Sequence, residues 1–460
     1  MTAPPHDSRG GTVRRLSVKA LTRVEGEGSL RVRVADGRIE IAEFSIYEPP
    51  RFFEKLLVGR AIHEVPDIVA RICGICPVAY QLTACHALEQ ALGIEITPGI
   101  RQLRRLLGCG EWIQSHALHV HLLHAPDFFG CESGFTLAER QPKLVEAGMR
   151  LKSIGSRLTE VLGGRAVHPI NVTVGGFYRS PSAAVVRELL PDLEWALGHC
   201  LDLVNEVSRF AFPAFARRYH CMAVSHPAEY PLNEGRLVSS SGLDIDASAF
   251  PEHVSERQVP WSTALQSLLM PGAQPYLVGP LARLTLCHDR LPPAARAAAE
   301  DCGHPLPLTN PFMSIVARCL ELAAAFEEAA AIVRSMPADL GACRVAWTPR
   351  AGIGCHATEA PRGLLWHRYE IGAGGLVKAA TIVPPTSQNQ AQIEADLRDL
   401  LPPLLGADDT TLTQACERLI RSYDPCISCA THFLRLTFDH AGPRHAPART
   451  SPERERGIRA

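Results

Sequence analysis

Two cysteine pairs constrain this chain more than any other feature. Cys73-Gly74-Ile75-Cys76 and Cys426-Ile427-Ser428-Cys429 stand about 350 residues apart. One C-x-x-C pair is weak evidence, since it serves equally as half of a structural zinc site or as a redox pair. Two pairs point to a metal, because thiolates are soft ligands suited to zinc, iron or nickel. Zinc ribbons bring their pairs together within tens of residues. Here a shared site has to tie the N-terminal and C-terminal segments into one core.

The remaining cysteines fit this picture. The chain has 15, an odd number scattered over 460 residues. That argues against a secreted disulfide scaffold and for thiols that are buried or bound to metal. Cys109, Cys200, Cys221, Cys287, Cys302, Cys319 and Cys343 show no pairing rhythm and read as small core residues. The net charge of −1 provides no field toward nucleic acid or an anionic membrane. No apolar run is long enough to cross a bilayer, and the N-terminus has no signal-peptide character. A cytoplasmic protein is expected.

Residues 1–15 are polar and read as loose. Residues 30–44 alternate in polarity around Asp36-Gly37, the signature of a β-hairpin with a tight turn. Helix signals dominate after about residue 65. Residues 79–92 end at Gly93, a natural cap, and 101–124 form a long periodic stretch. Ser180-Pro181 opens an amphipathic helix to about Phe210. Residues 312–336 and 410–423 are further helices, the latter stopped by Asp424-Pro425. Residues 225–310 read as loops with short strands. The fold class is mainly α (α+β), with a large helical bundle core, a small N-terminal β-hairpin or sheet and peripheral loops with short strands. A single domain over 16–432 is expected, followed by an extension, 433–460, of largely disordered composition.

The flanks of the cysteine pairs are specific. The first stands in Arg71-Ile72-Cys73-Gly74-Ile75-Cys76-Pro77. The second stands in Asp424-Pro425-Cys426-Ile427-Ser428-Cys429-Ala430-Thr431-His432. Arg23-Val24-Glu25-Gly26, Gly163-Gly164-Arg165 with His168-Pro169, Glu359-Ala360-Pro361-Arg362-Gly363 and Pro385-Thr386-Ser387 lie between the N-terminus and the second pair. In this order the motifs make the chain resemble the large, catalytic subunit of nickel–iron hydrogenases, from about residue 21 to 432. Glu48-Pro49-Pro50-Arg51-Phe52-Phe53-Glu54 and the Cys-Ile-Ser-Cys-Ala-Thr-His ending resemble the cytosolic, NAD(P)-linked, sulfhydrogenase-type branch.

The resemblance implies the large-subunit fold and reversible heterolytic cleavage of H2 at a nickel–iron centre, with carbon monoxide and cyanide on the iron. It implies Cys73 and Cys426 as terminal nickel ligands and Cys76 and Cys429 as bridges to iron. Arg362, Pro385 and Thr386 match positions around the cyanide ligands. Glu25 matches the carboxylate that takes protons from Cys426. Glu54, the backbone carbonyl of Ile382, and His432 match the ligands of a magnesium ion or second iron. His116, His119, His121 and His124 share one expected helix. The resemblance makes them packing residues near the chemistry, His116 and His119 closest, in place of a further metal site. Two positions depart from the pattern: Tyr80, where many relatives have histidine, and Ser115, where membrane-bound relatives have aspartate.

Partners follow from what the chain lacks. It has no spare cysteine cluster with iron–sulfur spacing, so iron–sulfur clusters belong to a small partner subunit. It has no convincing G-x-G-x-x-G after a strand, so a diaphorase-type subunit would bind NAD(P). Nickel-insertion factors and a maturation endopeptidase that removes 433–460 are also implied. The alternatives are a deazaflavin-reducing large subunit, a non-catalytic relative like the quinone-site subunit of complex I, and a structural subunit holding zinc. Retention of all four cysteines argues against the complex I-like reading. A closed zinc site needs neither Glu25 nor the Arg362 motif.

Overall fold

Asp36 and Gly37 both adopt left-handed backbone, with φ of 50° and 73°. A two-residue turn that matches strand twist needs this conformation. Strands Gly28–Ala35 and Arg38–Ile46 therefore pair antiparallel, with Leu30, Val32 and Val34 facing the core. In this computed structural model, which describes residues 13–431, a third strand, Val13–Val18, pairs along Gly28–Ala35. Val13, Arg14 and Arg15 were expected to be loose and are strand instead. Leu16 is buried, and Arg14 donates to Asp409 and to the carbonyls of Leu405 and Ala407. The expected extension 433–460 and His432 lie outside the described residues.

The helical core is built around Pro77–Leu92, which is buried on nearly every face and ends at Gly93 in the left-handed conformation, as expected. Helix Pro98–Leu118 passes beside it, capped by the Thr97 hydroxyl. Pro142–Gly163 and Ser314–Ser335 pack on Pro98–Leu118, and Leu190–Val207 packs on Ser314–Ser335. Gly110 and Gly155 let two of these helices touch. A Cβ on Gly155 would stand 2.8 Å from the Gly110 carbonyl. The expected helix 101–124 is regular only to Leu118, and His119–His124 form a π-helical turn.

Three expectations are corrected. The helix after Ser180-Pro181 is two pieces, Ala183–Arg187 and Leu190–Val207, and ends before Phe210. Pro191 opens the second piece, where its missing N–H costs no helical bond. The segment 225–310 contains, besides short strands, the helices Pro280–Cys287 and Pro293–Asp301. A three-stranded sheet, Gly352–Ala360, Gly363–Ile371 and Val377–Val383, stands where no sheet was expected. Its central strand is covered on both faces, so the polar alternation that marks a half-exposed strand is lost. Among the described residues no helix is long and apolar enough to cross a membrane.

Candidate metal centre

Each cysteine pair is delivered by a local stop in a helix. Cys73 leaves the short turn Ala70–Ile72 in extended conformation, and Cys76 precedes Pro77 at the start of Pro77–Leu92. Helix Asp409–Tyr423 ends at Asp424, whose backbone is left-handed, and Pro425 prevents its continuation. Arg318 fixes that end by donating to the carbonyls of Ser422 and Tyr423. Cys426 follows at once, and Cys429 lies in the turn Ser428–Thr431.

The two pairs converge. Cys73 Sγ lies 3.4 Å from Cys426 Sγ, and Cys76 Sγ lies 3.6 Å from Cys429 Sγ. All four sulfurs fall within 4.8 Å of one another, and no cysteine is more than 3% exposed. The backbone N–H groups of Ile75 and Cys76 approach Cys73 Sγ at 3.2 Å each, an arrangement that favours thiolate. Burial pushes the Cys73 thiol up, but hydrogen bonds from Cys426, Cys429 and Cys76 outweigh it and hold Cys73 well below the ordinary value. Burial drives Cys426 and Cys429 upward. Four thiols left to share protons thus stabilise one thiolate among them. A metal cation converts all four to thiolates, so a soft tetrathiolate donor set fits nickel, iron or zinc. Among the described residues no other group of three or more His, Cys, Asp or Glu side chains is placed to hold a metal ion.

Glu25 reaches this cluster from the N-terminal segment. Its backbone pairs with Cys426 in a parallel bridge, and Ile427 N donates to its carbonyl at 3.0 Å. Cys426 Sγ donates to Glu25 Oε2 at 3.1 Å, and Ser428 N donates to the same oxygen at 3.1 Å. Gly26, with φ of 86°, makes the approach possible, because a Cβ there would meet Ile427 Cβ at 2.8 Å. Glu48 stands next outward, accepting from Glu27 N at 2.9 Å and from the Ser428 hydroxyl at 3.3 Å.

Arg362 sits in the two-residue turn between Gly352–Ala360 and Gly363–Ile371. Its Nε donates to the Asp424 carbonyl at 2.8 Å and its Nη2 to Asp424 Oδ1 at 3.0 Å. Nη1 is buried without a partner, a donor that an acceptor ligand beside the thiolates would satisfy. Thr386 Oγ1 accepts from Cys426 N at 2.9 Å, and Pro385 begins helix Pro385–Leu400. Glu54 Oε1 accepts from Ile382 N at 2.8 Å, so these two expected residues are brought together.

Behind Arg362 lies a charge network that the sequence reading missed. Arg283 is fully buried and donates to both Glu321 oxygens at 2.7 Å, to Glu359 Oε2 at 2.8 Å, and to the carbonyls of Ala360 and Pro361 at 3.1 and 3.0 Å. Its guanidinium lies 4.3 Å over the Trp112 ring. His116 Nε2 stands 3.0 Å from Glu321 Oε2. Burial raises Glu321, but Arg283 outweighs it and holds the carboxyl at about 2. For Glu359 burial prevails over Arg283, and its carboxyl rises to about 7. The one available signal was a charge inside an apolar run, as in Leu281-Ala282-Arg283-Leu284 and Cys319-Leu320-Glu321-Leu322.

The histidine cluster is packing. His119 Nε2 donates to the Arg421 carbonyl at 2.8 Å, His121 Nδ1 donates to the Ala117 carbonyl at 2.9 Å, and His124 lies against His119 and Phe128. Tyr80 is buried against His367, and the Ser115 hydroxyl is buried without a partner.

A family model described as nickel-dependent hydrogenase matches residues 51–143 and 273–432. The chain is 33% identical to sulfhydrogenase 2 subunit alpha of Pyrococcus furiosus, over 92% of this chain and 100% of that one. It is 30% identical to sulfhydrogenase 1 subunit alpha of the same organism, over 92% of this chain and 98% of that one. The solved structure of an NAD+-reducing NiFe-hydrogenase in the H2-reduced state superposes with a TM-score of 0.83 at 28% identity, covering 91% of this chain and 99% of that chain.

Proposed function

The chain belongs to the nickel-dependent hydrogenases, as a catalytic large subunit acting on H2, and from that premise we propose how its residues divide the work. When bound, a nickel–iron centre carrying carbon monoxide and cyanide supplies the heterolytic cleavage of H2. Cys73 and Cys426 would hold it as terminal nickel ligands, and Cys76 and Cys429 would be the thiolates shared between nickel and iron. Cys73 Sγ faces Cys426 Sγ at 3.4 Å, Cys76 Sγ faces Cys429 Sγ at 3.6 Å, and Cys426 and Cys429 Sγ stand 2.6 Å apart, which supports one shared centre for all four. Arg362 offers Nη1 to a cyanide nitrogen, while Pro385 and Thr386 complete the wall. Burial of all four thiols keeps bulk water from the site.

The proton path starts at Cys426. The observation that carries this reading is the 3.1 Å hydrogen bond from Cys426 Sγ to Glu25 Oε2, within direct transfer distance. Glu25 is partly exposed, and Glu48 stands beyond it, so the proton has acceptors on its way out. Glu54, the Ile382 carbonyl and His432 would hold magnesium or a second iron. The Thr431 carbonyl accepts from Arg51 N at 2.6 Å, which ties the end of the second cysteine motif to the segment that leads into Glu54.

Electrons leave through a small iron–sulfur subunit and a diaphorase-type subunit toward NAD(P), in the cytoplasm. The likeness to an NAD+-reducing hydrogenase supports that carrier. A maturation endopeptidase removes 433–460 after nickel-insertion factors have acted.

Metal analysis, infrared spectroscopy and intact mass of the purified protein test this reading together. Nickel with iron, carbonyl and cyanide stretches, and a chain ending at His432 are expected. Zinc alone would overturn the nickel–iron assignment, and an active full-length chain would overturn the processing. Glu25→Gln is expected to keep the metals and infrared bands but to slow D2–water exchange by ~10²–10⁴-fold, the range of a lost general acid–base group. An unchanged exchange rate would remove Glu25 from the path.

A further inference from the structure

Asp127 touches none of the groups assigned above, yet it joins the two segments that carry the proton-transfer pair. It lies in the short turn Ala125–Asp127, directly after the π-helical turn His119–His124. Both of its carboxylate oxygens are taken by arginines. Arg23 Nη2 donates to Oδ1 at 2.6 Å. Arg421 donates through Nη2 to Oδ1 at 2.8 Å and through Nε to Oδ2 at 2.9 Å. The Asp127 side chain is 7% exposed. Burial raises its carboxyl, but the bond with Arg421 and the charges around it hold it below the ordinary range, so it stays charged.

The positions of the two arginines give this contact a purpose. Arg23 stands two residues before Glu25, and Arg421 stands five before Cys426. Between Val18 and Gly28 the chain has no regular strand, so Glu25 depends on outside anchors. Arg23 holds a left-handed backbone, φ 60°, which is uncommon for a non-glycine residue and persists where surroundings impose it. Its Nη1 also donates to the Leu123 carbonyl at 2.9 Å. On the other side, the Arg421 carbonyl is held by His119.

We propose that Asp127 is a positioning residue for proton transfer: by clamping Arg23 and Arg421 it keeps Glu25 within hydrogen-bond reach of Cys426. This rests on the reading of Glu25 as proton acceptor. A carboxylate and a thiol displaced by about 1 Å lose transfer rate on the order of 10²-fold. Loss of the Asp127 charge also leaves two arginines facing each other across the gap.

The test uses the metal-loaded full enzyme and compares Asp127→Asn, Asp127→Glu and Glu25→Gln. Asp127→Asn is expected to lower D2–water exchange and kcat by ~10–10²-fold while KM for H2 and the infrared bands stay native. Asp127→Glu restores most of the rate. Amide hydrogen exchange at Ile427 and Ser428, the two N–H groups bound to Glu25, is expected to rise in Asp127→Asn. Arg23→Gln removes one arm only and is expected to lose at least about tenfold, which keeps the test open if Asp127→Asn does not load metal. Native exchange rates in Asp127→Asn or Arg23→Gln, with Glu25→Gln still impaired, would overturn the clamp and leave Glu25 in place. Native rates in Glu25→Gln would overturn the acceptor reading and the clamp with it.

Discussion

Cys426→Ser is expected to abolish H2 turnover while the chain still folds. The substitution removes a soft ligand from a set of four whose sulfurs lie within 4.8 Å of one another. It also removes the thiol that donates to Glu25 at 3.1 Å, so binding and proton transfer fail together. A serine hydroxyl is a harder donor and ionises far less readily than a thiol. Turnover should fall by at least ~10³-fold, and nickel content should fall with it. The fold survives because other contacts hold the segment. Ile427 N still bonds the Glu25 carbonyl, Arg362 still bonds Asp424, and Arg318 still bonds Ser422 and Tyr423. Activity and nickel content of the purified variant check this, and retained turnover would sink the site assignment.

Arg283→Met is expected to be strongly destabilising. Arg283, Glu321 and Glu359 are all essentially inaccessible to water. Removing the cation leaves two buried carboxyls without their partner, a loss of ~3–5 kcal/mol. It also frees the Ala360 and Pro361 carbonyls that hold the Arg362 turn, so metal loading should decline as well. Replacing Arg283, Glu321 and Glu359 together by apolar residues of similar size should recover much of the loss, because no unpaired charge remains. Chemical denaturation of the single and triple variants measures both. A single variant as stable as the native chain, or a triple variant less stable than the single, contradicts the account.

The pH dependence of Arg283→Met follows from the same pair. In the native chain Glu321 is held at about 2, below the ordinary glutamate value of 4.5. Its contribution is therefore present above pH ~4.5 and lost as pH falls toward 2. Without Arg283 the strongest lowering influence on Glu321 is gone, and burial, opposed by the neighbouring His116, pushes its carboxyl upward. Its contribution then favours the folded state at low pH and is lost as pH rises. The deficit of Arg283→Met should shrink as pH is lowered from 7 to 5.

Much of the architecture was legible because its causes are local. Asp36-Gly37 specifies its turn, Gly93 its helix end, and Asp424-Pro425 its stop, each through backbone geometry that neighbouring residues dictate. The sheet over Gly352–Ala360, Gly363–Ile371 and Val377–Val383 was not legible. Its central strand is buried on both faces, and the expected rhythm disappears when both sides are core. Arg283 and Glu321 escaped notice for a related reason. A lone charge in an apolar run gives no sign of its partner, and these partners lie 38 residues apart. Asp127 was invisible in the same way, since its arginines come from opposite ends of the chain.

The sequence by itself identified the candidate ligand set, since two C-x-x-C motifs place four thiols in the right flanking context, and these are the four that converge. It also determined the helices that deliver them, because caps and stops are read from adjacent residues. Only the tertiary structure decided which sulfur faces which, that the Glu25 carboxylate meets the Cys426 thiol 401 positions away, and that Arg362 stands on a buried ion network. Those are distances between segments remote in sequence, set by packing and buried charge, and no local pattern encodes them.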